Sequence, residues 1–223
     1  MMNGTSPSIT ALSNGGYQVA FQANTGYLWT TGTAGGRNWG YGMMRGTSPS
    51  IAGLTNGSFE VAFQANTGAL WTVGSDWHGS WGLGMKPGTS PSIAGLSGGG
   101  YQVAMQANTG SLWTAGTKGT GDLRLGMMAG TSPSIAGLTN NTYEVAFQAN
   151  TGSLWTVGSD WHGTWALGMM NGTSPSIAAL SNGGYQVAFQ ANTGYLWTTG
   201  TAGTRNWGYG MKAGTSPGIA RLP

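Results

Sequence analysis

The chain has 223 residues, of which 43 are glycine, 11 are tryptophan and none is cysteine, and its formal net charge is +3. Hydrophobic residues make up 39% and charged residues only 6%, the reverse of a disordered composition, and the lack of cysteine excludes a disulfide scaffold, a thiolate zinc site and a thiol nucleophile. The eight Lys and Arg are scattered, so no footprint for nucleic acid is expected, and Gly, Asn, Thr or Ser breaks every apolar run well short of the roughly 18 residues of a membrane span.

In chain order, Ser6 to Leu12 reads as a first strand, a, followed by the turn Ser13-Asn14-Gly15-Gly16, because Asn and Gly accept the positive φ of tight hairpins. Tyr17 to Ala23 is strand b, with Tyr17, Val19 and Phe21 on one face and Gln18, Ala20 and Gln22 on the other. Asn24-Thr25-Gly26 forms a second hairpin turn. Tyr27 to Thr31 is strand c, a glycine-rich loop follows, and Trp39 to Met43 is strand d. The short connections make neighbouring strands antiparallel.

This pattern then repeats. Gly-Thr-Ser-Pro begins at Gly4, Gly46, Gly88, Gly130, Gly172 and Gly214, always 42 residues apart. Five full copies occupy residues 4–45, 46–87, 88–129, 130–171 and 172–213, and a partial sixth occupies 214–223. Four short strands in such a unit make a propeller blade, whose two faces are buried only by stacking on neighbours. The expectation is one all-β domain over residues 1–223: a five-bladed β-propeller of four-stranded antiparallel repeats, its ring closed by terminal strands. Either Ser6 to Leu12 or Ser216 to Leu222 can fill the closing slot. An open array is the runner-up, although arrays usually carry atypical end caps and copies one and five are nearly identical.

Most of the variation falls in the c–d loop and the start of strand d. Copies one and five carry Arg37, Asn38 and Trp39, and Arg205, Asn206 and Trp207. Copies two and four carry Asp76, Trp77, His78 and Trp81, and Asp160, Trp161, His162 and Trp165. Strand b follows the same alternation, with Gln18, Gln102 and Gln186 in odd copies and Glu60 and Glu144 in even ones. Aromatic faces beside a few hydrogen-bonding groups, displayed on the loops of a rigid scaffold, suit a sugar: its C–H face stacks on Trp and its hydroxyls take polar partners.

The strings QANTG-x-LWT and GMxxGTSPSI, present from Gly4 onward, resemble the blades of bacterial propeller lectins of the Photorhabdus type. That resemblance implies calcium-independent binding of fucose and related, sometimes O-methylated, sugars in pockets between adjacent blades, with no cofactor. It implies glycans as partners, several sites per chain, and either the LWT or the strand-d tryptophans as stacking walls. Members of that family have seven blades of longer units, which sets this chain apart. Copy three has Leu123 and Arg124 where the others have Trp and Gly or Ala, so its pocket should be weak or lost.

Other residues read as framework. Trp29, Trp71, Trp113, Trp155 and Trp197 recur in every copy and suit packing between blades. Gln22 and its counterparts read as satisfied buried amides, and Met43 and its counterparts as core filling. One His and one Asp per even copy are too few for a metal site. The symmetry-related Glu60 and Glu144, or Asp76 and Asp160, lie in different blades and make no carboxylate pair for glycoside hydrolysis, so no enzyme is expected. The alternatives to a multivalent lectin are a protein-interaction propeller and an engineered symmetric scaffold without a sugar ligand. No signal peptide is expected at the start, which leaves either synthesis in the cytoplasm with release or a mature secreted form, and homo-oligomerisation is left open.

Overall fold

The computed structural model describes residues 1–76, 78–159 and 162–220. Among them every regular element is a strand, and twenty strands form five four-stranded antiparallel sheets. The first sheet is β1 (Ser8–Ala11), β2 (Tyr17–Gln22), β3 (Tyr27–Gly32) and β4 (Arg37–Gly42). The second is β5 (Ser50–Gly53), β6 (Phe59–Gln64), β7 (Ala69–Gly74) and β8 (Gly79–Gly84). The third is β9 (Ser92–Gly95), β10 (Tyr101–Gln106), β11 (Ser111–Gly116) and β12 (Gly121–Gly126). The fourth is β13 (Ser134–Gly137), β14 (Tyr143–Gln148), β15 (Ser153–Gly158) and β16 (His162–Gly168). The fifth is β17 (Ser176–Ala179), β18 (Tyr185–Gln190), β19 (Tyr195–Gly200) and β20 (Arg205–Gly210). Each sheet is one sequence repeat, with its strands in chain order.

The innermost strands β1, β5, β9, β13 and β17 pack side by side, and the serines of the GTSPSI string stitch them together. Ser6 N–H donates to Ser48 Oγ at 2.9 Å, and Ser48, Ser90, Ser132 and Ser174 each donate in the same way to the serine one repeat ahead. Running the other way, Ile51, Ile93, Ile135 and Ile177 donate their N–H to Ser8, Ser50, Ser92 and Ser134 Oγ. Fixed side-chain-to-backbone bonds at a constant offset explain why this string does not vary among the five full copies.

Both faces of each interior blade are buried, as the strand-b alternation predicts. In the first seam, Ala20, Leu28 and Met43 of blade one meet Ile51, Val61, Phe63 and Val73 of blade two, with Trp39, Tyr41, Phe59 and Trp71 around them. The same constellation recurs at the three following seams. Trp71, Trp113, Trp155 and Trp197 pack into the seams, Trp71 with its ring centroid 5.0 Å from that of Tyr41 across the seam, whereas Trp29, on the blade with no preceding neighbour, is exposed. Buried Gln22, Gln64, Gln106, Gln148 and Gln190 each donate Nε2–H to the carbonyls that follow strand d.

The expected closure by a terminal strand is not seen. Every sheet consists of consecutive strands of one repeat. Residues 214–220 instead lie beside the fifth blade, with Ser216 Oγ accepting from Ser174 N–H and Ile219 N–H donating to Ser176 Oγ at 3.2 Å. The physical reason is the serine stitch, which fixes each GTSP segment to the blade before it.

Strand d also begins earlier than expected. The turn after β3 is tight, so Arg37 and Asn38 stand on β4 and pair with Thr30 and Trp29. A bulge follows in every copy. The residue at its apex is left-handed: Gly40, Gly82 and Gly208 at φ +72°, +67° and +71°, and Arg124 and Ala166 at φ +59° and +55°. Its N–H bonds the side chain two residues back, namely Asn38, Ser80, Asp122, Thr164 and Asn206.

Candidate sugar-binding seams

The bulge aims the strand-d tryptophan into the seam. Trp39 Nε1–H donates to Thr30 Oγ1 on the adjacent strand at 3.1 Å, and Trp81, Trp165 and Trp207 donate to Thr72, Thr156 and Thr198 at 3.0 Å. With its one polar atom tied down inside its own blade, each indole has a fixed orientation.

Beside Trp39 lies a cavity of about 380 Å3 between blades one and two. Gln18, Thr30, Gly35, Arg37 and Trp39 line it from blade one, and Phe59, Gly74 and Ser75 from blade two. The Arg37 guanidinium sits 4.1 Å from the Trp39 ring centroid, and Arg205 holds the same position over Trp207, a cation–π geometry that fixes both side chains. The equivalent cavity between blades two and three, about 490 Å3, is lined by Asp76 and Trp81 on one side and Tyr101, Gly116 and Thr117 on the other. Gly79 replaces Arg37 there, and Asp76 supplies a carboxylate. Asp76 N–H in turn donates to the buried Glu60 carboxylate at 3.2 Å.

Tyr101 is sealed in this second seam, 3% exposed. Its hydroxyl lies 3.2 Å from Thr72 Oγ1, so Trp81, Thr72 and Tyr101 form one polar chain across two blades. Burial pushes the phenol up to about 12, the Thr72 bond opposes this, and the Glu60 and Asp76 charges add to it. Between blades four and five, Trp165, Thr156 and Tyr185 repeat the chain. In the seam between blades three and four, Leu123, Leu125, Tyr143 and Trp155 pack against the buried cluster, and no indole stands at the Trp39 position.

The structure therefore brings Arg37 and Trp39 together in one cavity and Asp76 and Trp81 in another. Asn38 and Asn206 are exposed, and their amide oxygens cap the bulge. His78 is exposed, and His162 opens β16 with its side chain exposed. Trp207 is 40% exposed. Trp77, Asp160 and Trp161 lie outside the described residues. Two wall positions were not singled out from the sequence. The first residue of strand b (Phe59 and Tyr101) comes from the following blade, and the Thr of LWT anchors each indole. Their signals were the aromatic column at Tyr17 and the invariance of that Thr. The LWT tryptophans face elsewhere in the seam, where Trp197 lines a separate cavity of about 280 Å3 with Leu167, Phe189 and Asn192.

No protein-family profile and no curated protein sequence matches the chain, but solved structures do. The fold of the Aleuria aurantia lectin, described as a six-bladed β-propeller with a novel fucose recognition mode, superposes with a TM-score of 0.66 at 13% identity, covering 96% of this chain and 84% of that one. The lectin SapL1, solved with α-methyl fucoside, gives 0.67 at 13% identity, covering 96% and 83%. AofleA from Arthrobotrys oligospora gives 0.63 at 13% identity, covering 90% and 69%. At such identities the likeness concerns the fold, and the chain shares the β-propeller architecture of these lectins.

Proposed function

We propose that this chain is a multivalent, non-enzymatic lectin for fucose or a related sugar, bound in the seams between blades. One observation carries the reading: a tryptophan anchored through its N–H lines a seam cavity, with an aromatic residue of the next blade and a charged side chain beside it. A pyranose matches that combination, because its apolar face packs on aromatic surface and its hydroxyls meet Arg37 or Asp76. The structural neighbours solved with fucosides and the Photorhabdus-type motifs point to the same sugar class. Asp76 would serve the even-copy sites directly, with the exposed His78 and His162 as further polar groups of the same loops. Arg37 and Asn38 would serve the site after copy one, whereas Arg205 and Asn206 stand on the exposed end of blade five, where no following blade completes a seam.

In this reading the seams after copies one, two and four are competent, and the Leu123 seam is not. Titration with methyl α-fucoside, followed by calorimetry and tryptophan fluorescence, should give a stoichiometry that falls by one site for each of Trp39→Ala, Trp81→Ala and Trp165→Ala. The Leu123→Ala variant should leave the stoichiometry unchanged. A glycan array without any bound sugar, or an unchanged stoichiometry in all three Trp variants, would refute the assignment.

A further inference from the structure

The first two seam cavities carry opposite charge. Among the described residues, Arg37 is the one charged side chain lining the cavity between blades one and two. Asp76 is the one lining the cavity between blades two and three. The strand-b position deepens the contrast. In blade one Gln18 ties the turn without a charge, its Nε2–H donating to Gly35 O at 2.8 Å and its Oε1 accepting from Ala34 N–H at 3.3 Å. In blade two the buried Glu60 carboxylate takes over the second of these bonds, accepting from Asp76 N–H. After burial and the Thr72 bond, the charges of Glu60 and Asp76 both act on Tyr101, so the acidic field reaches the far wall of that seam.

The sequence keeps these pairings. Gln18, Gln102 and Gln186 occur with Arg37, Lys118 and Arg205 in the c–d connection, whereas Glu60 and Glu144 occur with Asp76 and Asp160. Asp122 of copy three is spent on the bulge, where it accepts from Arg124 N–H. Arg37 is also arranged to receive a ligand. Its guanidinium lies 4.1 Å from the Trp39 centroid, and a stacked guanidinium keeps its N–H donors at its edge, clear of the ring. Among the described residues it makes no ion pair. A sugar hydroxyl engages such an edge singly, whereas a planar or trigonal anion takes two parallel bonds, each strengthened by charge.

We infer that the first seam selects an anionic pyranose, one carrying a sulfate ester or a carboxylate, and that the acidic second seam disfavours the same ligand. The inference rests on the sugar reading above and adds the charge class of the ligand at each seam.

The test is calorimetry on the 223-residue protein with two sets of sugars: methyl α-fucoside beside its three monosulfates, and methyl α-galactoside beside methyl α-galacturonoside. In at least one set an anionic sugar should fill one site per chain, roughly tenfold or more tighter than its neutral parent at low salt. The set that shows this identifies the anion as ester or carboxylate. The preference should shrink as salt rises, because an exposed charge pair is screened, and Arg37→Gln should abolish it. Glu60→Gln combined with Asp76→Ala, which installs the residues of copy one, should admit the anionic sugar to a second site. The inference is overturned if methyl α-fucoside binds while no anionic sugar is preferred, if the preference survives Arg37→Gln, or if it is insensitive to salt. Absence of binding by every sugar, neutral or charged, would instead sink the lectin reading itself and this inference with it.

Discussion

At the scale of single residues, the chemistry of the seams depends on where one polar atom is tied. An indole N–H left unpaired in an apolar seam costs about 1–3 kcal/mol, and the strand-c threonines remove that cost for Trp39, Trp81, Trp165 and Trp207. In the second seam Thr72 also serves Tyr101, which makes that phenol a reporter of the seam. Its folded pKa of about 12 lies above the ordinary value of 10, so the native state holds the proton where the unfolded chain has lost it. The stability tied to this group is intact below pH 10 and falls as pH rises toward 12, by about 1.4 kcal/mol per unit of separation. Denaturant unfolding at stepped alkaline pH should show that decline, and Tyr101→Phe should flatten it. Equal slopes in the two proteins would place Tyr101 outside the titration.

At the scale of the strand, the bulge in strand d decides which way the tryptophan faces. Its apex is left-handed in all five blades, a conformation that costs an L-residue about 1–2 kcal/mol. Nothing approaches a Cβ placed at Gly82 within 4 Å, so Gly82→Ala isolates the conformational term. It should lower stability by about 1 kcal/mol in urea unfolding. Ala166→Gly should raise stability by less than that, since glycine also loosens the unfolded chain. If Gly82→Ala is neutral, the bulge geometry is wrong.

The bulge also marks where sequence reading stopped. Strands b and c were legible to within a residue, because Tyr17 to Gln22 alternates cleanly and QANTG closes a tight hairpin. Arg37 and Asn38 read as loop because a Gly-rich run precedes them, yet they lie on the strand. The column Asn38, Ser80, Asp122, Thr164 and Asn206 holds five short hydrogen-bond acceptors. That column signals the cap of a left-handed residue two positions later, and it went unread because the residue types differ while the role is the same. The strand-d tryptophans were legible as wall candidates. Their partners Phe59 and Tyr101 were not, since which residue faces a neighbour's indole depends on how blades stack, and a repeat read singly does not contain that.

At the scale of the molecule, the repeat fixes what each seam contains but leaves the fate of the ends to geometry. Identical units stack with one rotation per blade, and here the serine stitch and the seam clusters carry five blades through an arc that leaves Ile9 and Tyr209 in water. Stability in such a stack is close to a sum of unit and nearest-neighbour terms. Blade three has two complete seams, whereas blades one and five have one each. Leu28, Leu70, Leu112 and Leu154 are fully buried, and their fifth-blade counterpart Leu196 is only half buried. Opening should therefore start at the ends and move inward, because local unfolding follows the density of buried apolar contact. Hydrogen exchange measured by mass spectrometry should show peptides of β10 and β11 as the slowest in the chain. Peptides of β2 and β3, and of β18 and β19, should exchange measurably faster although their sequences are nearly the same. Since near-identical sequence removes intrinsic propensity as a cause, any gradient reports the seams alone. A uniform protection pattern across the five blades would mean that the end faces are covered in solution.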